Sequence, residues 1–212
     1  FHLCITEDVA SEHPVEEANW LAAAEYADSA GVDVISSSLG YTTFDAPSVS
    51  YTYSDMNGRA ALISRAAAVA ARVGMVVVSA AGNEGNKSWH YISAPADADS
   101  IVSVGAVDSL GGHAVFSSYG PTADGRIKPT LAAMGLAAAV LAPNGAAFRG
   151  SGTSYACPIL AGMVAGFWQA NPTLTAQQVI AALRATASQA NAPDNTLGYG
   201  IPNFVAAYNL LH

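Results

Sequence analysis

The run Gly150-Ser151-Gly152-Thr153-Ser154 enters a long uncharged stretch of helical pattern. A serine in the first turn of a helix has its hydroxyl beside free backbone N–H groups and the positive end of the helix dipole. An acyl-transfer nucleophile needs that setting, because negative charge builds up on the carbonyl it attacks. Taken alone, a serine at this place is more often an N-cap. Gly150 and Gly152 let another backbone approach closely. Asn83 follows an apolar run and Gly82. Its carboxamide can donate to a developing oxyanion, or it can be a turn residue, which Asn tolerates well. Ser38-Leu39-Gly40 ends another apolar run. An extended segment of this kind can receive a peptide by strand addition, and it is equally an ordinary strand-to-loop exit.

These groups need elements to hold them. Residues 1–6 read as a short strand. His13-Pro14 opens a helix, with Glu16 and Glu17 in the first turn and Trp20, Ala23, Ala24, Ala27 and Ala30 at helical spacing. Gly31 stops it. Residues 32–35 form a strand that leads into Ser38. A helix over 58–73 ends at Gly74, and residues 75–78 form a buried strand that leads to Asn83. Residues 101–106 are a further strand. The stretch 107–150 is loop-rich, with short strands near 114–116 and 138–141. Helices follow over 153–169, over 175–187 with a Thr175/Gln178 capping box, and from Asn203 to about 211. Continuous apolar strands alternating with helices indicate an α/β fold with a mainly parallel sheet covered on both faces. In such folds, sites form at the carboxyl ends of strands, where all three signals lie. No linker or repeat divides the chain, so 1–212 reads as one domain or part of one.

Composition narrows the functions. Hydrophobic residues make up 51% of the 212 residues and charged residues only 11%, against about 25% in an ordinary soluble domain. There are 44 alanines and 19 glycines, which suits closely packed layers and excludes disorder. The apolar stretches are broken by Gly135, Pro143, Asn144 and Gly145, or carry Arg65 and Arg72. None gives the run of about 20 residues that a membrane span needs. The net charge of −8 and the eight scattered Lys and Arg disfavour nucleic acid as a partner. Cys4 and Cys157 lack metal or redox spacing and read as two buried small hydrophobes.

Several words recur in a recognisable order: Val34-Ile35 before Ser38-Leu39-Gly40, then Ala80-Ala81-Gly82-Asn83. Later come Phe116-Ser117-Ser118-Tyr119-Gly120-Pro121, Gly125-Arg126-Ile127-Lys128-Pro129, Gly152-Thr153-Ser154-Tyr155-Ala156-Cys157-Pro158 and Gly198-Tyr199-Gly200. As a set they resemble subtilases, the subtilisin-like serine peptidases, over nearly the whole chain. The resemblance implies a three-layer subtilisin-like fold and a protein or peptide substrate. Ser154 becomes the nucleophile and Asn83 the oxyanion donor beside the Ser154 N–H. Losing such a donor costs about 10²–10³ in kcat, a magnitude borrowed from subtilisins. Ser38, Leu39 and Gly40 become the edge that binds the substrate backbone. Ala81, Gly82 and Glu84 line the primary specificity pocket, and Gly152 and Thr153 flank the nucleophile. Glu84 would favour a basic or polar side chain there, or be a surface carboxylate with no such role. The resemblance also implies a secreted or cell-envelope parent protein.

The family's aspartate and histidine words are absent. None of His2, His13, His90, His113 and His212 is followed by Gly-Thr. By motif order, Phe1 falls just after the place where the histidine segment ends. The chain is therefore expected to hold the nucleophile and oxyanion half of a catalytic domain, with turnover absent in isolation. It is expected to be ordered beside a partner, either the N-terminal piece or a second copy. A non-catalytic peptide-binding module is the alternative. Pro129-Thr130 and Ala133-Met134-Gly135 also depart from the family's usual words. No cofactor is certain. Structural calcium is frequent in the family, but Asp45, Asp55, Asp97 and Asp99 read as isolated, solvated turn residues. An α/β-hydrolase esterase is excluded by the lack of Gly-x-Ser-x-Gly, and a dinucleotide-binding oxidoreductase by the lack of Gly-x-Gly-x-x-Gly.

Overall fold

A computed structural model describes residues 1–212. Four parallel strands form its sheet: β1 (Val34–Ser37), β2 (Val76–Ala80), β3 (Val102–Val107) and β4 (Leu131–Met134), side by side in that order. Successive side chains of a strand point to opposite faces. Val76 and Val78 accordingly join a core with Leu160, Val164, Val179 and Leu183. Val77 joins a second core with Trp20, Ile63, Ala67 and Ala70. These helical residues belong to α3 (Thr153–Ala170) and α4 (Ala176–Ala185) on one face, and to α1 (Val15–Ser29) and α2 (Leu62–Val73) on the other. The result is a three-layer α/β arrangement with helices on both faces of the sheet. An antiparallel pair, β5 (Ala138–Leu141) and β6 (Ala147–Gly150), leads into α3, and α5 (Phe204–Leu211) ends the chain.

Buried carboxylates join the layers. Glu17 of α1 is 1% exposed. It accepts the Ile63 N–H at 2.8 Å and the Tyr51 hydroxyl at 2.6 Å. Ile63 lies in the first turn of α2, so this acid satisfies an orphan donor of a neighbouring helix. Trp20 Nε1 donates to Ser37 Oγ at 3.0 Å and ties α1 to the end of β1.

Several local expectations differ. Residues 1–6 form no strand, and Phe1, Leu3 and Ile5 are exposed. Cys4 is exposed with them, and only Cys157 is buried. β1 starts two residues later than expected. α2 starts at Leu62, because Asn57 Oδ1 captures the N–H groups of Arg59 and Ala60 in a local turn. Residues 114–116 form no strand; the Ala114 N–H donates to the Ala106 carbonyl and the Phe116 carbonyl accepts the Gly85 N–H, beside the bridge between Val107 and His113. β4 and β6 arise in the stretch read as loop-rich. The Thr175 capping box and the Asn203 cap form as the residue types dictate. Asp97 is fully buried, unlike the solvated turn residue expected. It accepts the Gly58 N–H at 2.7 Å and the Ser64 hydroxyl.

Candidate active site

The carboxyl ends of β1 and β2 and the N-terminus of α3 meet in one cleft. It is lined by Ser38, Leu39, Gly40, Thr42, Ala80, Gly82, Asn83, Glu84, Ser93, Thr153 and Ser154. Parallel strands place their following loops on one side of the sheet, which is why residues far apart in sequence converge here. Ser154 is the second residue of α3. Its N–H therefore belongs to the orphan donors of the first turn.

Asn83 and Thr153 fix each other. The Thr153 N–H donates to Asn83 Oδ1 at 2.9 Å, and the Thr153 hydroxyl donates to the same oxygen at 3.1 Å. Asn83 thus caps α3 with its carbonyl oxygen. Its Nδ2 is left as a free donor on the cleft side, 3.8 Å from where a Cβ on Gly152 would stand. The Gly82 N–H donates in turn to Thr153 Oγ1 at 3.3 Å. Thr153 is fully buried and makes the joint between the β2 exit loop and the helix.

A second joint comes from Pro158. Proline has no N–H, so the carbonyl four residues earlier in a helix lacks its usual donor. That carbonyl belongs to Ser154. The Ser38 hydroxyl donates to it at 3.0 Å, while Ser154 Oγ lies 3.5 Å from the Ser38 carbonyl oxygen. Below them, Cys157 Sγ contacts the carbonyls of Ser37 and Val78, and burial pushes its thiol pKa up. Cys157 is a packing residue.

Gly82 has φ of +109°, a backbone that L side chains rarely adopt. A Cβ there would lie 2.8 Å from Ser118 Oγ and 3.0 Å from Ser93 Oγ. Ala81 is placed differently from the expectation. It faces away from the cleft and packs, fully buried, with Ile92 and Ala96, while Ala80 takes its place on the wall. Alternation along the strand exit sends these two neighbours to opposite sides. Glu84 is on the wall, and its Oε1 meets Lys87 Nζ at 2.9 Å. Thr42 and Ser93 line the cleft without a sequence signal, because both come from long loops. Their place follows from the bridge between Tyr41 and Ala94 that brings those loops together, and from the Ser93 N–H donating to the Ala81 carbonyl.

No histidine lines the cleft. His2 packs against Tyr26, His90 stacks on Tyr119, and His212 stacks on Tyr208. His113 sits beside Tyr119, and burial lowers its pKa. Calcium requires several oxygen ligands. Carboxylate oxygens of Glu7, Glu12 and Glu16 lie within 4.8 Å of one another. Glu16 already accepts the N–H groups of Asp8 and His13, and Glu7 accepts the hydroxyls of Thr6 and Tyr41. Burial, then Glu16 and Glu7, push the pKa of Glu12 up. Asp45 caps the Glu12 N–H, and Asp55 closes a turn at Thr52. No helix is long and apolar enough to cross a membrane.

Comparison with known proteins agrees with the geometry. Subtilisin DY of Bacillus licheniformis is 37% identical over 185 residues, which is 86% of this chain and 59% of the relative. The serine protease AprX of Bacillus subtilis (strain 168) is 37% identical over 136 residues, covering 54% of this chain and 30% of its own length. The chain thus spans less than two thirds of the length of these two relatives. Among solved structures, the self-cleaved protease domain of PatA superposes with a TM-score of 0.70 at 26% identity, covering 92% of this chain and 68% of that one. The model of the subtilase family matches residues 6–200, and this chain belongs to that family.

Proposed function

We propose that the chain supplies the nucleophile and oxyanion half of a serine endopeptidase. Ser154 Oγ attacks the peptide carbonyl and forms an acyl-enzyme, which water then releases. The Ser154 N–H and Asn83 Nδ2 hold the oxyanion. Residues 38–40 pair with the substrate backbone, and Gly40 and Gly82 leave room for it. The observation that carries this reading is the Asn83 cap. Because Thr153 engages Oδ1, the remaining amide hydrogens are aimed at the cleft that Ser154 shares.

The proton acceptor comes from a histidine outside these 212 residues, oriented by an acid that is also outside them. The cleft's lack of histidine supports this, and the same fact favours the second reading, a groove that binds peptides without cleaving them. β1 is an end strand paired only with β2, so its outer edge is open to a further segment or a second copy. Export from the cell belongs to this reading as well.

The test is hydrolysis of a chromogenic peptide. The chain alone should show negligible serine-dependent turnover, and a rate above about 1 per second would remove the need for an outside base. In the complete gene product, Ser154→Ala should lower kcat by about 10⁶, the size of the effect in subtilisins. A complete protein that binds peptides tightly but never cleaves them would establish the non-catalytic reading instead.

A further inference from the structure

Ser93 is only 4% exposed, and its backbone is fully engaged. Its N–H donates to the Ala81 carbonyl at 3.3 Å, and its carbonyl accepts the Ala96 N–H at 2.8 Å. Its hydroxyl opens onto the cleft and is not among the buried polar atoms that lack a partner. It forms the floor of the cleft between two glycines. A Cβ on Gly40 would stand 2.2 Å from Ser93 Oγ, and one on Gly82 would stand 3.0 Å from it. A hydroxyl at the bottom of an open cleft is answered by water, which a polar atom arriving from outside can replace.

The walls specify what that atom belongs to. Only Leu39 and Ala80 are apolar among the lining residues, and Thr42 and Glu84 add polar groups. A long apolar side chain would strip water from these groups and return nothing to them. Glu84 would attract a cation, but Lys87 already sits 2.9 Å from its carboxylate. An incoming ammonium would have to displace that partner. A neutral carboxamide suits the site better, because it donates and accepts at once, and a serine hydroxyl can answer either role.

Resting on the peptidase reading above, we propose that this pocket selects a neutral carboxamide side chain, glutamine before all, on the residue whose carbonyl meets Ser154. Ser93 is the specificity-determining residue at its floor. The closing experiment measures binding, which needs no outside base. Acetylated tetrapeptide amides that end in Gln, Met, Phe or Lys are titrated into the chain by calorimetry. Met is the near-isostere of Gln without its hydrogen bonds. The Gln peptide should bind about five- to tenfold more tightly than the Met peptide, the range of one net hydrogen bond. Ser93→Ala should erase that ratio by weakening Gln binding. The variant removes a hydroxyl with no internal partner, so its urea midpoint should match the parent's. If Met or Phe binds as well as Gln in the parent protein, or if the ratio survives Ser93→Ala, the selection is refuted while the groove stands. Tightest binding by Lys would mean that Glu84 governs the pocket, and would also refute the proposal. Failure of every peptide to bind would overturn the groove reading and this proposal together.

Discussion

β2 and the first five residues are both dominated by apolar side chains. One begins Val76-Val77-Val78, and the other reads Phe1-His2-Leu3-Cys4-Ile5. In β2 all three valines are fully buried. β1 pairs along one edge and β3 along the other, and a helical layer covers each face. In the N-terminal run, Leu3 and Ile5 are each 95% exposed. Its one ring contact is His2 against Tyr26, at 5.8 Å between centroids. Apolar character makes a strand possible, but ladder partners and covered faces make it real.

The largest expected effect breaks the pair apart. Val78→Asp puts an unpaired carboxylate between two sheet neighbours and a helix, where charge is costly by several kcal/mol. The chain should then lose its cooperative urea transition. Leu3→Asp touches no buried surface and should shift stability by less than about 0.5 kcal/mol. Equal losses from the two substitutions would mean that residues 1–5 are packed against something in solution.

The sheet was legible because its signals are local and redundant. Apolar runs, Gly74 at a helix end and the capping residues at Thr175 and Asn203 each point to one conformation. The cleft was legible for the residues that sit in recognisable words, namely Ser154, Asn83, Gly82 and residues 38–40. Thr42 and Ser93 were not, since a hydroxyl in a long loop carries no address. Ala81 shows the remaining limit. A motif says which residues are near a site, but the side each one faces depends on where the strand ends, and Ala80 and Ala81 differ there by a single position. Asp97 was misread for a related reason. Its partners, Gly58 and Ser64, lie 39 and 33 residues away in sequence.

Burial with a partner can be tested for charge as it was for apolar residues. Lys128 is 4% exposed and donates to the Ala98 carbonyl at 2.8 Å. Burial, then Arg126, lower its pKa to about 7. An unfolded lysine titrates near its ordinary value of about 10.4. Between these two values the unfolded state binds more protons, so stability rises with pH. The urea midpoint should climb from pH 7 to pH 8.5, a window below the raised tyrosines Tyr41, Tyr51 and Tyr53. Lys128→Met should flatten that climb. A midpoint that falls across the window would show that Lys128 keeps its charge and its water in the folded protein.

The same contrast can be drawn between single side chains at the cleft. Asn83→Ala removes the cap on α3 and should lower stability by about 1 kcal/mol, the usual loss for a cap, measured as a shift in the urea midpoint.

A modest effect on stability should come from Ser38. Its hydroxyl supplies the donor that Pro158 cannot, at the carbonyl of Ser154. Ser38 is exposed, so in Ser38→Ala water can take over that carbonyl. The loss should stay within about 0.5–1 kcal/mol. Its consequence should fall instead on the nucleophile, whose backbone is no longer tied to the end of β1. Under the proposed peptidase reading, with the outside base supplied, kcat should fall more than KM rises, because the misplacement acts on the attacking oxygen and not on the groove. The double variant Ser38→Ala/Pro158→Ala restores an N–H to the helix and should recover part of that loss. If Pro158→Ala gives no recovery, the Ser38 bond matters to the loop and not to the helix, and the joint between β1 and α3 is held by Cys157 packing alone.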